Sequence, residues 1–198
     1  MKKGLSQTKS KIISAAWKLF YEQGYDDTTI EDIVTLSGTS KGSFYHYFEG
    51  KDALLGTLAA LFDEKYEELT PNLDSIPDAF GRLTYLNTKL FQMIENSISI
   101  ELLSNLLGTQ LFAKGEKHLL DRSRTYFKLL LRIVKGGQER GEIRTDLSAN
   151  EIVKAYALLE RAFMYDWCLC SGEYSLVAYS APMMKAFLLT YRLCEKRL

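Results

Sequence analysis

Apolar residues recur at helical spacing along nearly the whole chain, and no run alternates as a half-buried strand does. A first helix is predicted from about Thr8 to Gln23, with Ile12, Ala16, Leu19 and Phe20 on one stripe and Gly24 as its stop signal. A second opens in "DDTTIEDI", where Thr28 with Glu31 and Thr29 with Asp32 are both candidate N-cap pairs. A third, short helix follows "LSG", and a fourth, "GKDALLGTLAALFDEKYEELT", ends before Pro71. "PNLDSIPD" reads as a linker, and further helices are predicted over about 78–95, 97–113, 116–140, 148–171 and 176–197. This is an all-α chain of about nine helices. It has no internal repeat.

Composition narrows the functions open to such a chain. With 198 residues and 46% hydrophobic content it can bury a continuous core. Lys+Arg and Asp+Glu both number 25, so a chain that coats nucleic acid or membrane through bulk charge is not indicated. Up to position 52, seven lysines face seven acidic residues, and the first arginine is Arg82, so any affinity for DNA must rest on placement. No apolar run reaches membrane-spanning length and no apolar stretch follows the first lysines, which gives the expectation of a cytoplasmic protein. Cys168, Cys170 and Cys194 suit a core better than a disulfide framework, and C-x-C within one helix points the thiols apart, so no metal site or cofactor is expected.

The stretch "GTSKGSFYHYF" at 38–48 is the most informative. At 100° per residue, Phe44, Phe48 and Ser40 share one side of a helix, with Thr39, Gly42, Ser43, Tyr45 and His46 opposite and Lys41 and Tyr47 on the flanks. Two phenylalanines therefore hold the helix down while a small, polar front faces outward. Gly38 lets the chain turn sharply between the second and third helices, which is the arrangement of a helix-turn-helix. Gly42 in a helix interior costs up to about 1 kcal/mol relative to Ala, and a close approach to DNA would account for it.

Residues 8–55, "TKSKIISAAWKLFYEQGYDDTTIEDIVTLSGTSKGSFYHYFEGKDALL", closely resemble the DNA-binding domain of the TetR family of bacterial transcriptional regulators. The resemblance rests on "LFYEQGY", "TTIEDIV", "SGTSKGSFYHYF" and "KDALL" in fixed order and spacing; Thr39 departs from the Val often found there, Val34 from Ala, Gly50 from a Ser or Asn cap, and Tyr47 from His. It implies phosphate contacts from Thr29, Ser40, Lys41, Tyr45, Tyr47 and Lys51, and base contacts from Thr39, Gly42, Ser43 and His46. It further implies a helix-turn-helix domain at 1–52 and a helical effector-binding and dimerisation domain at 53–198. The function implied is a nucleoid-associated homodimeric repressor on a palindromic operator of double-stranded DNA, released by a small-molecule effector.

The carboxy-terminal pattern agrees with self-association. "NEIVKAYALLERAFMYDWCLCSG" and "SLVAYSAPMMKAFLLTYRLC" are apolar around more of their circumference than one buried stripe needs, as expected of a homodimer formed through the last two helices. Candidate effector-lining residues are Phe91, Met93, Phe112, Tyr126, Phe127, Phe163 and Trp167, with Tyr85 and His118 beside them, which favours a hydrophobic or aromatic ligand. Catalytic motifs such as G-x-S-x-G and H-E-x-x-H are absent, so an enzyme is not expected. The alternative function is a helical ligand- or protein-binding dimer without operator binding.

Overall fold

In a computed structural model that describes residues 7–112 and 117–193, with the side chain of Phe112 outside that set, nine α-helices account for most of the described chain. They are α1 Gln7–Gln23, α2 Ile30–Ser37, α3 Lys41–Tyr47, α4 Lys51–Leu69, α5 Ala79–Ser97, α6 Ile100–Phe112, α7 Thr125–Glu139, α8 Ala149–Leu169 and α9 Leu176–Leu189. Among the described residues the only strand-like pairing is a single antiparallel bridge between Ile143 and Arg192. The all-α class and the count of about nine helices are as expected.

Packing divides the described residues into two compact units, 7–60 with 99–112 and 117–119, and 61–98 with 120–193. In the first, α1, α2 and α3 pack on one another around Ile12, Ala16, Phe20, Ile33 and Phe44, all at most 2% exposed. In the second, α5 packs on α9 and α7, and α8 on α7 and α9. The expected division at 52/53 is one of role; it falls in the first turn of α4, inside the first packing unit.

Three elements differ from the sequence pattern. The stretch read as a linker forms a 3-10 helix, Thr70–Ser75, because Leu73 turns into the core. The helix expected over 116–140 is interrupted: a 3-10 turn at His118–Leu120 is followed by a turn in which the Asp121 carboxylate accepts from both the N–H and the hydroxyl of Ser123 at 2.8 Å. α7 then starts only at Thr125, with Asp63 of α4 accepting from the Tyr126 N–H at 3.1 Å and from Arg124 Nε at 3.0 Å. α9 stops at Leu189, where the expected helix continues to 197; Arg144 N–H donates to the Tyr191 carbonyl at 2.8 Å and Leu193 N–H to that of Glu142 at 3.1 Å, drawing the chain into extended pairing. Residues 194–197 of that expected helix, Cys194 included, lie outside the described residues. No helix among the described residues is long and apolar enough to cross a membrane.

Candidate nucleic-acid interface

The turn between α2 and α3 is built by local chemistry at both ends. Of the two candidate caps, Thr29 is the one used: its Oγ1 accepts from the Asp32 N–H at 3.1 Å, and Asp32 Oδ2 accepts from the Thr29 N–H at 2.9 Å, a complete capping box. The Thr29 hydroxyl, donating to Asp32 Oδ2 at 2.6 Å, and then the Thr29 N–H hold the Asp32 carboxyl below its ordinary range. Thr28 is buried instead, its hydroxyl donating to the Gly24 carbonyl at 2.6 Å. At the other end Gly38 has φ +62, and the N–H groups of Gly38 and Thr39 donate to the carbonyls of Thr35 at 3.2 Å and Val34 at 3.1 Å. This paired closure needs a left-handed residue, and an L side chain there is strained by roughly 1–2 kcal/mol.

Ser40 then caps α3, accepting from the Ser43 N–H at 3.1 Å. Helical phase divides α3 much as expected: Phe44 is fully buried and Phe48 is 5% exposed, while Lys41, Gly42, Tyr45 and His46 are exposed and Thr39, Ser43 and Tyr47 are half-buried. Ser40, placed on the packed side by phase alone, is exposed because its side chain serves the cap. A Cβ added to Gly42 would meet only Ser40 Oγ, at 3.9 Å, so nothing in the protein's own packing requires glycine there. A seven-residue helix is about 10 Å long, and a DNA major groove about 12 Å wide admits a helix.

Two charged residues expected on phosphates have intramolecular partners. Lys41 is ion-paired with Glu31 of α2, both well exposed; the pair lowers the Glu31 carboxyl and raises the Lys41 ammonium. Exposed pairs of this kind are weak, so a phosphate can displace the carboxylate at little cost. Lys51 differs more. Its Nζ donates to the carbonyls of Tyr25 at 2.6 Å, Thr28 at 2.9 Å and Asp26 at 3.2 Å, and lies 4.2 Å from the centre of the Tyr25 ring. All three ammonium protons thus face the loop between α1 and α2. The same loop is held from α6, where Glu101 Oε1 accepts from the N–H groups of Tyr25 at 2.8 Å and Asp26 at 3.1 Å. The Tyr25 hydroxyl donates to Asp52, and burial with that contact pushes the phenol well above its ordinary range.

Of the expected effector-lining side chains, those of the second unit are mostly core. Phe91, Tyr126, Phe127, Phe163 and Trp167 are buried, Met93 is half-buried, and Phe112 lies outside the described side chains. The structure brings Phe91 and Phe163 edge to face at 6.3 Å, and Tyr126 and Phe127 at 4.8 Å. His118 is exposed, and its ring closes on α4 where a Cβ on Gly56 would lie 2.6 Å from it. Sequence reasoning missed Glu160, 2% exposed, whose carboxylate accepts from Tyr126 Oη at 2.6 Å and Asn87 Nδ2 at 3.0 Å. Its signal was a charge on the buried phase of α8, between Tyr156 and Phe163.

Residues 12–58 match the family model "Bacterial regulatory proteins, tetR family". The chain is 28% identical over 153 residues to the HTH-type transcriptional repressor KstR2 of Rhodococcus jostii, covering 74% of this chain and 73% of that protein. An uncharacterized HTH-type transcriptional regulator of Lactococcus lactis is 47% identical over 47 residues, and the match spans 24% of each chain. The fold resembles a TetR-family repressor of Thermus thermophilus solved with lauroyl-CoA, with a TM-score of 0.74 and 22% identity over 94% of this chain and 96% of that one.

Proposed function

We propose that this chain is a regulator of the TetR type: a cytoplasmic, nucleoid-associated homodimeric repressor which binds a palindromic operator and is released by a small, largely apolar ligand. The observation that carries the reading is α3 itself: a capped helix fixed by Phe44 and Phe48, with Gly42, Tyr45 and His46 turned outward and no internal reason for Gly42. Lys41 and Tyr47 flank this front where DNA strands would run, with Thr29, Ser40 and Tyr45 beside them; Thr39, Gly42, Ser43 and His46 face bases. With no Arg, Asn or Gln on that front, specificity leans on DNA shape and half-site spacing.

Dimerisation is supported by apolar side chains left in solvent on the last two helices: Leu158, Tyr165 and Leu169 of α8 and Tyr179, Met183 and Leu189 of α9 are each about half exposed or more. A two-fold dimer places two reading helices about one DNA turn apart. An apolar ligand suits the aromatic interior of the second unit, and the Thermus thermophilus regulator of similar fold was solved with lauroyl-CoA. The roles divide at 52/53, and α4, which begins in the first packing unit and ends in the second, carries the ligand's effect to the reading heads. Selection from a random duplex pool tests the reading. It predicts enrichment of a palindrome with half-sites one turn apart, and no enrichment, or a single unpaired half-site, contradicts it.

A further inference from the structure

Four helices of the second unit converge on one buried polar centre. Tyr66 comes from α4, Asn87 from α5, Tyr126 from α7, and Tyr156 and Glu160 from α8. The Glu160 carboxylate receives Tyr126 Oη and Asn87 Nδ2, while Tyr156 Oη donates to the Leu83 carbonyl at 2.9 Å. The rings of Tyr66 and Tyr126 lie 5.1 Å apart. Among the described residues three buried side-chain polar atoms have no hydrogen-bond partner, and two of them, Tyr66 Oη and Asn87 Oδ1, belong to this centre. A buried acceptor without a donor is costly, and a carboxylate without a contacting cation is costlier.

We propose that Glu160 and Asn87 Oδ1 form the anchor for the head of the effector, and that the effector is a lipophilic amine whose ammonium donates to both. The proposal deepens the ligand-released repressor reading and rests on it for what the ligand does. The amine supplies the donor Asn87 Oδ1 lacks and the positive charge Glu160 lacks, while its apolar body enters the aromatic interior. An anionic head meets the buried carboxylate and is disfavoured.

The groups acting on Glu160 are Tyr66, Tyr126, Tyr156 and Arg161, and the Asp63–Arg124 pair acts on Tyr66. Burial raises the three phenols far out of the neutral range, so they stay uncharged. Burial also raises the Glu160 carboxyl, against the hydrogen bonds it accepts. A cation must therefore displace the carboxyl proton wherever the group is protonated, and amine affinity rises with pH until the amine itself deprotonates.

The test titrates the full-length protein with a panel of primary alkyl- and arylalkylamines beside the alcohol and carboxylic acid of each same skeleton, reading thermal stabilisation and heat of binding. Amines are expected to bind wild type in preference to both partners, and Glu160→Gln to lose roughly tenfold or more of that affinity. If Glu160→Gln fails to fold, the rise of amine affinity with pH in wild type decides instead. Equal binding by alcohols or acids, a preference that survives Glu160→Gln, pH-independent amine binding, or no amine binding overturns the anchor. The two readings fail separately: acids or alcohols that bind and release DNA leave the repressor standing without the amine anchor, whereas amines that bind through Glu160 without changing DNA affinity leave the anchor standing alone.

Discussion

Lys51 Nζ donates to the carbonyl oxygen of Tyr25 at 2.6 Å and sits 4.2 Å from the centre of that residue's ring. With the bonds to Asp26 and Thr28, this makes Lys51 a clamp on the loop that sets the entry of α2. Lys51→Met is expected to destabilise the fold by about 1.5–3 kcal/mol, the range for hydrogen bonds to charged groups, measured by urea denaturation. A purely phosphate-holding lysine predicts unchanged stability and weaker DNA binding alone.

The two glycines flanking α3's start should respond oppositely to the same substitution. Gly38 is left-handed with open space around its missing Cβ, so Gly38→Ala costs about 1–2 kcal/mol from backbone strain alone. Gly42 is helical and equally open, so Gly42→Ala is neutral or stabilises by up to about 1 kcal/mol. Chemical denaturation of both variants checks the pair, and a destabilised Gly42→Ala counts against an open front on α3.

Burial raises the folded-state pKa of Glu160 above its unfolded value, so the native protein keeps this proton where the unfolded chain has released it. The associated stability is complete below the unfolded value of about 4.3 and is lost as pH rises towards the folded one. Glu160→Gln keeps an acceptor for Tyr126 and removes the titrating group. The variant should match or exceed wild-type stability at neutral pH and lack the decline with rising pH, seen by thermal denaturation across pH 4–8.

The turn and the division of α3 were legible because period and capping act over a few residues: Phe44 and Phe48 fall on one phase, and Gly38 has one common use at a helix end. The choice between Thr28 and Thr29 was not legible, since it depends on which hydroxyl the fold buries. Long-range partners were hidden for the same reason. Nothing local tells Lys51 that three carbonyls from 23 to 26 residues upstream will converge on it, or Asp63 that it will cap a helix 63 residues later. Glu160 was overlooked because charge on a helix is ordinarily read as solvent-facing, although its spacing from Tyr156 and Phe163 puts it on the buried phase.

Leu158 and Met183 stand half exposed on α8 and α9. Leu158→Glu with Met183→Glu should yield a folded monomer by sedimentation and weaken binding to a two-half-site duplex by about a thousandfold, the lower end of the range by which specific sites exceed nonspecific DNA. A variant that remains dimeric places the interface elsewhere.

The most direct measurement is the affinity of wild type and Gly42→Leu for the duplex that wild type selects from a random pool. The outward face of α3 predicts a palindrome bound tightly by wild type, with Gly42→Leu melting normally yet binding at least about a hundredfold more weakly. Full-strength binding by Gly42→Leu contradicts the groove assignment.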